Sequence, residues 1–400
     1  MIQAAVLGYG TVGSGVVQVI SENSKLIADR CGEEINVKYI LDLRDFPGDP
    51  YEAKVVHDIN VILEDPEVSI VCETMGGVKP AFQFSMDALK KGKSVCTSNK
   101  ELVANCGPAL LEAAKENNCN YLFEASVGGG IPIIRPLNTS LAPEHIERVM
   151  GILNGTTNFI LTKMAQEGAS FEDVLKEAQA LGYAERNPEA DVEGYDAGRK
   201  IAILASLVTG KNVAFEDVYT EGITKITAED FAYAKKMNKS IKLLAMSENT
   251  ADGVTAMVAP FIIGNDHPLN GVNGVFNAVY VTGNMVGDLM FYGQGAGKLA
   301  TASAVVSDVI ECAKNPGKTL SCNWKNEAVK LSDIKEQSRK FFVRAAIGDH
   351  GAAINSFGAF NEIRITDEEF GFVTETMTEN EFNSRLKGIR EVISVIRVYE

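Results

Sequence analysis

Over the first 130 residues the apolar positions follow two rhythms. Short, mainly apolar runs at 3–7, 37–43, 68–72, 94–97 and 121–123 have the length and composition of strands buried on both faces. Between them, apolar residues recur at helical spacing, as in Val16, Val17, Val19 and Ile20, and helices are predicted at 82–90 and 108–116. Short strands alternating with helices imply a parallel sheet covered on both sides.

After about residue 130 the rhythm changes. Helical patterns dominate 156–209. Ser170 with Asp173 predicts the cap of a helix running to 180, and Thr227 with Asp230 predicts another. Strand-like runs follow at 241–246, 255–262, 278–281 and 289–292, which suggest a second, α+β domain, placed at 131–284, and a helix is expected again at 301–312. From about 320 a third unit is expected. Its strand 341–347, helix 352–360, strands 362–365 and 371–376, helix 380–387 and strand 392–398 give the βαββαβ order of a ferredoxin-like domain. The stretch 314–318, with Pro316 and Gly317, reads as a linker.

A length of 400 residues suits two or three domains, and 46% hydrophobic with 23% charged residues excludes wholesale disorder. No apolar run nears the roughly 20 residues of a membrane span. The N-terminus lacks the basic and cleavage segments of a secretory signal. With 38 basic and 53 acidic residues the net charge is −15, which argues against binding to nucleic acid or anionic membranes. The seven cysteines form no C-x-x-C pair, so reduced thiols in a cytoplasm are expected. The four histidines show no ligand spacing, and Cys72 and Cys96 fall in strand runs as core residues.

The first strand leads directly into Gly8-Tyr9-Gly10-Thr11-Val12-Gly13, a G-x-G-x-x-G turn that opens a helix. Gly8 makes the tight turn, Gly10 admits a pyrophosphate, and Gly13 lets helix and strand pack closely. The free N–H groups at the helix start favour phosphate. The first domain, 1–130, is therefore expected to be a doubly wound Rossmann sheet binding a dinucleotide, with Gly8, Gly10, Thr11, Val12 and Gly13 at the cofactor. After the second strand come Asp42 and Arg44. A carboxylate there favours NAD and an arginine favours NADP, so the choice stays open at this point.

Residues 178–200 concentrate polar groups at set spacings. Asp196 and Lys200 are four apart and share a helix face, where a lysine beside a carboxylate is positioned to exchange a proton. On spacing alone a surface ion pair is the commoner reading. Glu185 and Asp191 lie on the preceding loop, placed to bind an ammonium group. Lys100, in Thr97-Ser98-Asn99-Lys100, follows a strand at the carboxyl edge, where open parallel sheets bind ligands.

Ala178, Gly182, Tyr183, Ala184, Asn187, Pro188, Asp191, Val192, Gly194, Asp196 and Lys200 together resemble the signature of the homoserine dehydrogenase family, with every specified position met. The resemblance covers nearly the whole chain. It implies NAD(P)-dependent hydride transfer between aspartate semialdehyde and homoserine, with Lys200 as general acid–base, Lys100 assisting at the substrate, and Asp196 orienting the lysine or a water. It implies that Glu185 and Asp191 bind the substrate amino group, that Thr156 helps bind the carboxylate, and that Tyr183 lies at the substrate. It places Met75, Gly76, Ser98 and also Lys100 at the cofactor, and Gly297, within Gly293-Gln294-Gly295-Ala296-Gly297, in a second cofactor-side glycine segment. The first domain would thus be rejoined by about 285–315. The stretch 124–132 resembles the family's monovalent-cation loop, implying a sodium or potassium ion held by Glu124 and the carbonyls of Val127, Gly129 and Ile131. Alanine is usual where Gly129 stands; Gln294 and Ala300 also depart from the pattern.

The segment 320–400 resembles an ACT domain, which implies pairing of chains and an amino-acid effector such as threonine, although Asp349-His350-Gly351 lacks the usual proline. A plain dimerisation role is the alternative. A homodimer or higher homo-oligomer is expected, formed through the second domain, in a monofunctional form with no kinase domain before residue 1. Two other readings compete: a sensor that keeps the fold without turnover, and a dehydrogenase for another amino acid. The intact signature opposes the first. The glycine turn at residue 8 opposes the second, because it leaves no room for the upstream lysine motifs of glutamate or leucine dehydrogenases. The absence of a cysteine motif opposes aspartate-semialdehyde dehydrogenase.

Overall fold

The five apolar runs of the first 130 residues, with one short strand outside them at Val55–Val56, become six strands in the computed structural model, which describes residues 1–250 and 253–400. They are β1 (Ile2–Leu7), β2 (Ile35–Leu41), β3 (Val55–Val56), β4 (Val68–Glu73), β5 (Ser94–Thr97) and β6 (Tyr121–Leu122). All pairs are parallel, in the order β3-β2-β1-β4-β5-β6. Ala4, Ala5, Val6 and Leu7 are completely buried, as a strand covered on both faces requires. The order reverses direction between β1 and β4, which opens a crevice at the carboxyl ends of these strands.

The helix expected from 108 begins eight residues earlier, as Lys100–Glu116. Asn99 caps it, its side chain accepting from the Leu102 amide, and Pro108 is carried inside the helix. A proline there removes one backbone bond, but its buried ring packs in the interior.

Helix Lys298–Lys314 lies against helix Thr11–Glu22. A Cβ on Gly15 would come within 2.8 Å of the Lys298 carbonyl oxygen and 2.9 Å of Ala302 Cβ. Val16, Val17 and Ile20 share one core with Ala302, Val305, Val306 and Val309.

The chain forms two compact units. The first comprises Met1–His145, Ala202–Phe215 and Phe291–Val329; the second comprises Ile146–Ile201, Glu216–Met290 and Lys330–Glu400. The C-terminal segment thus groups with the central one, where a separate third unit was expected, and the reason lies in strand pairing. The later strands are β7 (Ile146–Ile152), β8 (Tyr219–Thr220), β9 (Lys239–Thr250), β10 (Gly253–Gly264), β11 (Phe276–Gly283), β12 (Gly287–Gln294), β13 (Ser338–Ala346), β14 (Glu369–Val373), β15 (Met377–Thr378) and β16 (Val392–Val398). They make a mixed sheet in the order β12-β11-β7-β9-β10-β16-β13-β14. Strand β16 runs parallel to β10, pairing Phe261 with Arg397 and Ile262 with Val398. The expected strand at 362–365 is reduced to a single bridge between Ile363 and Gly371. Its alternate residues are charged, and Glu362 is drawn to His350 and Arg364, which suits an edge that does not extend the ladder.

Gly13 tests the close packing of the first turn. A Cβ there would lie 1.9 Å from the Gly8 carbonyl oxygen and 2.8 Å from Thr74 Oγ1. Gly13→Ala should cost about 1–3 kcal/mol of stability, the usual range for overpacking, and weaken dinucleotide binding. Thermal melting with and without coenzyme checks this, and an unchanged profile would contradict the geometry.

Candidate active site

In the first unit, β1 ends at Leu7 and the chain turns at Gly8, whose φ of +88° favours glycine. Gly10 then precedes helix Thr11–Glu22, leaving its first N–H groups without a side-chain cap. Thr74 Oγ1 bonds back to the Leu7 and Gly8 carbonyls at 3.0 and 2.9 Å, fixing the turn against the end of β4.

Asp42, just past β2, accepts from the Tyr9 amide at 2.8 Å. Arg44 donates to both its oxygens at 3.0 Å. This guanidinium holds the Asp42 carboxyl at about 2. Arg44 also lies over the Phe46 ring, 5.1 Å from its centroid. Gly8, Asp42, Arg44 and Met75 line one cavity of about 530 Å³. His57, which sequence reasoning passed over, lines it too, with Nδ1 2.7 Å from the Asp42 carbonyl oxygen. A tight glycine turn, a free helix start and this cavity fit a dinucleotide.

A second finding is Glu73, the fully buried last residue of β4. Its carboxyl accepts from the Met75 amide at 2.8 Å and from Thr97 Oγ1 at 2.6 Å. Thr97 Oγ1 accepts from the Asn99 amide, and Asn99 Nδ2 donates to the Gly77 carbonyl at 2.6 Å. The loop carrying Met75 and Gly76 and the loop carrying Ser98 and Lys100 are therefore clasped together. Lys100 opens the helix capped by Asn99.

Gly297, with φ +115°, precedes helix Lys298–Lys314. The neighbouring Gly295 explains Gly129: a Cβ on Gly129 would lie 2.3 Å from the Gly295 carbonyl oxygen. The Gly130 amide also donates to the Gln294 carbonyl at 3.1 Å. The glycine that departs from the expected alanine is thus required by the contact.

Glu124, at the head of the glycine-rich stretch 124–132, is held by backbone amides. Its buried carboxylate accepts from the amides of Ile133, Ile134 and Arg135 at 2.5, 2.8 and 2.7 Å. Both oxygens accept at the start of helix Ile134–Asn138. Among the described residues no group of three or more His, Cys, Asp or Glu side chains could hold a metal ion.

In the second unit, β7 delivers Leu153 and Asn154 to the start of helix Gly155–Glu167. Asn154 Oδ1 caps that helix through the Thr157 amide at 2.8 Å. Asn154 Nδ2 donates to Asp191 Oδ1 at 2.7 Å and to Asp196 Oδ2 at 2.9 Å. Lys200 Nζ, one turn after Asp196 on helix Tyr195–Thr209, donates to the same Asp196 oxygen at 2.8 Å and to the Leu153 carbonyl at 2.7 Å. Asp196 is 2% and Lys200 7% exposed, so this is a buried pair rather than a surface one.

Thr156 Oγ1 donates to the Tyr183 carbonyl at 2.6 Å, and the Tyr183 ring meets Phe159 edge-on at 5.1 Å. Glu185 is exposed and joins through its backbone, its carbonyl accepting from Gln179 Nε2. Lys200, Asp196 and Asp191 are thus gathered around Asn154, Tyr183 and Thr156 are tied to each other, and Glu185 stays at the rim. Sequence reasoning did not single out Asn154.

A dinucleotide cradle in one unit and a buried lysine–carboxylate pair in the other define an NAD(P)-dependent oxidoreductase. The comparisons agree and go further. The family model described as homoserine dehydrogenase, NAD binding domain, matches residues 8–124, and the homoserine dehydrogenase model matches 132–310. A Synechocystis homoserine dehydrogenase is 40% identical, covering 99% of each chain, and a Helicobacter pylori one is 37% identical, covering 99% of this chain and 97% of the relative. The crystal structure of a Thiobacillus denitrificans homoserine dehydrogenase superposes with a TM-score of 0.92 at 34% identity, covering 100% of this chain and 98% of the other. The chain belongs to the homoserine dehydrogenase family, NAD(P)-dependent oxidoreductases that interconvert aspartate 4-semialdehyde and homoserine.

Two buried acids of the first unit carry a pH signature. Burial pushes Glu73 from 4.5 up to about 7, and burial with nearby Glu124 pushes Asp308 from 3.8 up to about 7. Each binds its proton more tightly in the folded chain. Their stabilising contribution is therefore complete below the unfolded values and lost as pH rises through about 7. Glu73→Gln should gain a few degrees of melting temperature relative to the parent between pH 5 and pH 8, since one pKa unit is about 1.4 kcal/mol. A difference independent of pH would contradict the assignment.

Proposed function

We propose that Lys200 is the general acid–base of the homoserine dehydrogenase reaction and that Asp196 and Asn154 position it. The observation that carries this reading is the buried Lys200–Asp196 pair, anchored to the Leu153 carbonyl and the Asn154 amide. When bound, the nicotinamide supplies or takes up the hydride at the aldehyde or alcohol carbon. In the reducing direction Lys200 donates a proton from Nζ to the substrate oxygen as the aldehyde becomes an alcohol. Asp196 then faces a neutral amine, and the Asn154 Nδ2 donor still partners its carboxylate, so the proton can leave without orphaning a buried charge. In the oxidising direction the neutral amine takes the proton from the hydroxyl.

Lys100 assists at the substrate, Asp191 and Glu185 receive the substrate ammonium, and Thr156 with Tyr183 meets the carboxylate. Gly8, Gly10, Thr11, Val12 and Gly13 hold the pyrophosphate, while Met75, Gly76, Ser98 and Gly297 border the rest of the cofactor. Arg44 covers Asp42, which supports a site that takes a 2′-phosphate as well as a free ribose. The segment 338–400 reads as an ACT-like regulatory module. This is supported by the antiparallel strand order β16-β13-β14 with helices His350–Phe357 and Glu379–Leu386. Threonine is the effector expected for it. Exposed Met285, Val286, Met290 and Tyr292, on and just before the outermost strand β12, support a homodimer through that edge.

The test is coenzyme oxidation with aspartate semialdehyde, run with NADPH and NADH in parallel. The parent should turn over with both. Lys200→Ala should lose about 10²–10⁴-fold in turnover, the range of general acid–base catalysis, while coenzyme binding is unchanged. Near-parental turnover in that variant would overturn the role of Lys200.

A further inference from the structure

The second unit holds a polar cavity whose residues take no part in the Lys200 cluster. It measures about 240 Å³ and is lined by Arg148, Glu248, Arg339, Lys340, Tyr399 and Glu400, among others. Most of these charges have partners. Lys340 pairs with Glu400 at 2.6 Å, and Arg148 donates to Tyr399 Oη at 2.5 Å and lies 3.9 Å from Glu248. Arg339 differs. Its one hydrogen bond runs to Met257 Sδ at 3.0 Å, and a thioether is a weak acceptor. Its buried Nε has no partner among the described residues, nor has the buried Nε of Arg148. No described carboxylate lies within ion-pairing distance of Arg339.

The neighbouring Arg397 shows what the same sheet provides elsewhere. Its guanidinium is bound by both oxygens of Glu379, by Glu221 and by Tyr219. Arg397 is buried and paired in this way, because a desolvated charge without a partner is costly; Arg339 and Arg148 are part-buried, with only the Nε of each shielded and unpartnered. A guanidinium fork matches a carboxylate in bidentate geometry.

We propose that this cavity is a binding site for a small carboxylate-bearing ligand whose carboxylate is taken by Arg339 and Arg148. Glu248, beside Arg148, supplies an acceptor for an ammonium group, so an α-amino acid satisfies both signs of charge. A simple organic acid satisfies the arginines alone. At about 30 Å³ per water, the cavity has room for such a ligand with a few waters. The assignment rests on residues outside the proton-transfer cluster, so it stands or falls independently of the role of Lys200.

The test is calorimetric titration of the full chain with acetate, L-alanine, L-threonine and inorganic phosphate. It is repeated with Arg339→Met and Arg148→Gln, and coenzyme oxidation serves as the check that each variant is folded. At least one carboxylate should bind saturably at one site per chain, and Arg339→Met should weaken it at least about tenfold, as loss of a charged hydrogen bond does. Tighter binding of an amino acid than of acetate assigns the zwitterion, and the reverse assigns a simple acid; both support the site. If Arg339→Met does not fold, Arg148→Gln carries the same expectation. No carboxylate binding, binding unchanged in the folded variants, or binding of phosphate alone would overturn the proposal.

Discussion

The second unit is organised around one costly decision, the burial of the Lys200 ammonium. A desolvated lysine needs a carboxylate and at least one further acceptor, and each must be held in place. Asp196 supplies the first from one helical turn away. The Leu153 carbonyl supplies the second, and it is exposed to the lysine only because β7 ends there and a new helix begins. Asn154 closes the arrangement with two functions in one amide group. Its oxygen caps helix Gly155–Glu167 and its nitrogen ties Asp191 to Asp196. Helix start, strand end and lysine–carboxylate pair are therefore one structural unit, and disturbing any of them disturbs the lysine.

The first unit meets a similar demand with a buried acid. Glu73 sits at the carboxyl end of β4 and bridges two loops that the doubly wound topology brings side by side. Glycines serve the same end by their lack of a side chain. Gly13 and Gly129 let backbone approach backbone, the one within the first turn and the other against the segment from Gly293 to Gly297. A few close backbone approaches thus help to shape the cofactor cradle.

Much of this was legible in the sequence where chemistry depends on spacing. The glycine turn, the T-S-N-K segment and the polar run ending at Lys200 each announce themselves by fixed offsets, and all lie where ligands reach a strand or helix end. Residues that act singly were not legible. Glu73, His57 and Arg339 belong to no motif, and only the tertiary fold gives them their surroundings. Strand β7 went unread because Glu147 and Arg148 interrupt its apolar run, although five of its seven residues are buried. The hydrogen bonds that Glu124 accepts were not legible either. The backbone that folds back to offer it three amides is a tertiary feature. The C-terminal segment looked like an independent unit by element order, and only the pairing of β16 with β10 joins it to the central sheet.

The central claim is that Lys200 and Asp196 act as one device. A double-mutant cycle with Lys200→Ala and Asp196→Asn, read as turnover at saturating aspartate semialdehyde and coenzyme, tests it most directly. If the two act through the same proton transfer, the double variant will be no slower than the more damaged single one, because residues acting as a unit are strongly non-additive. Multiplicative losses would show two independent contributions and contradict the account.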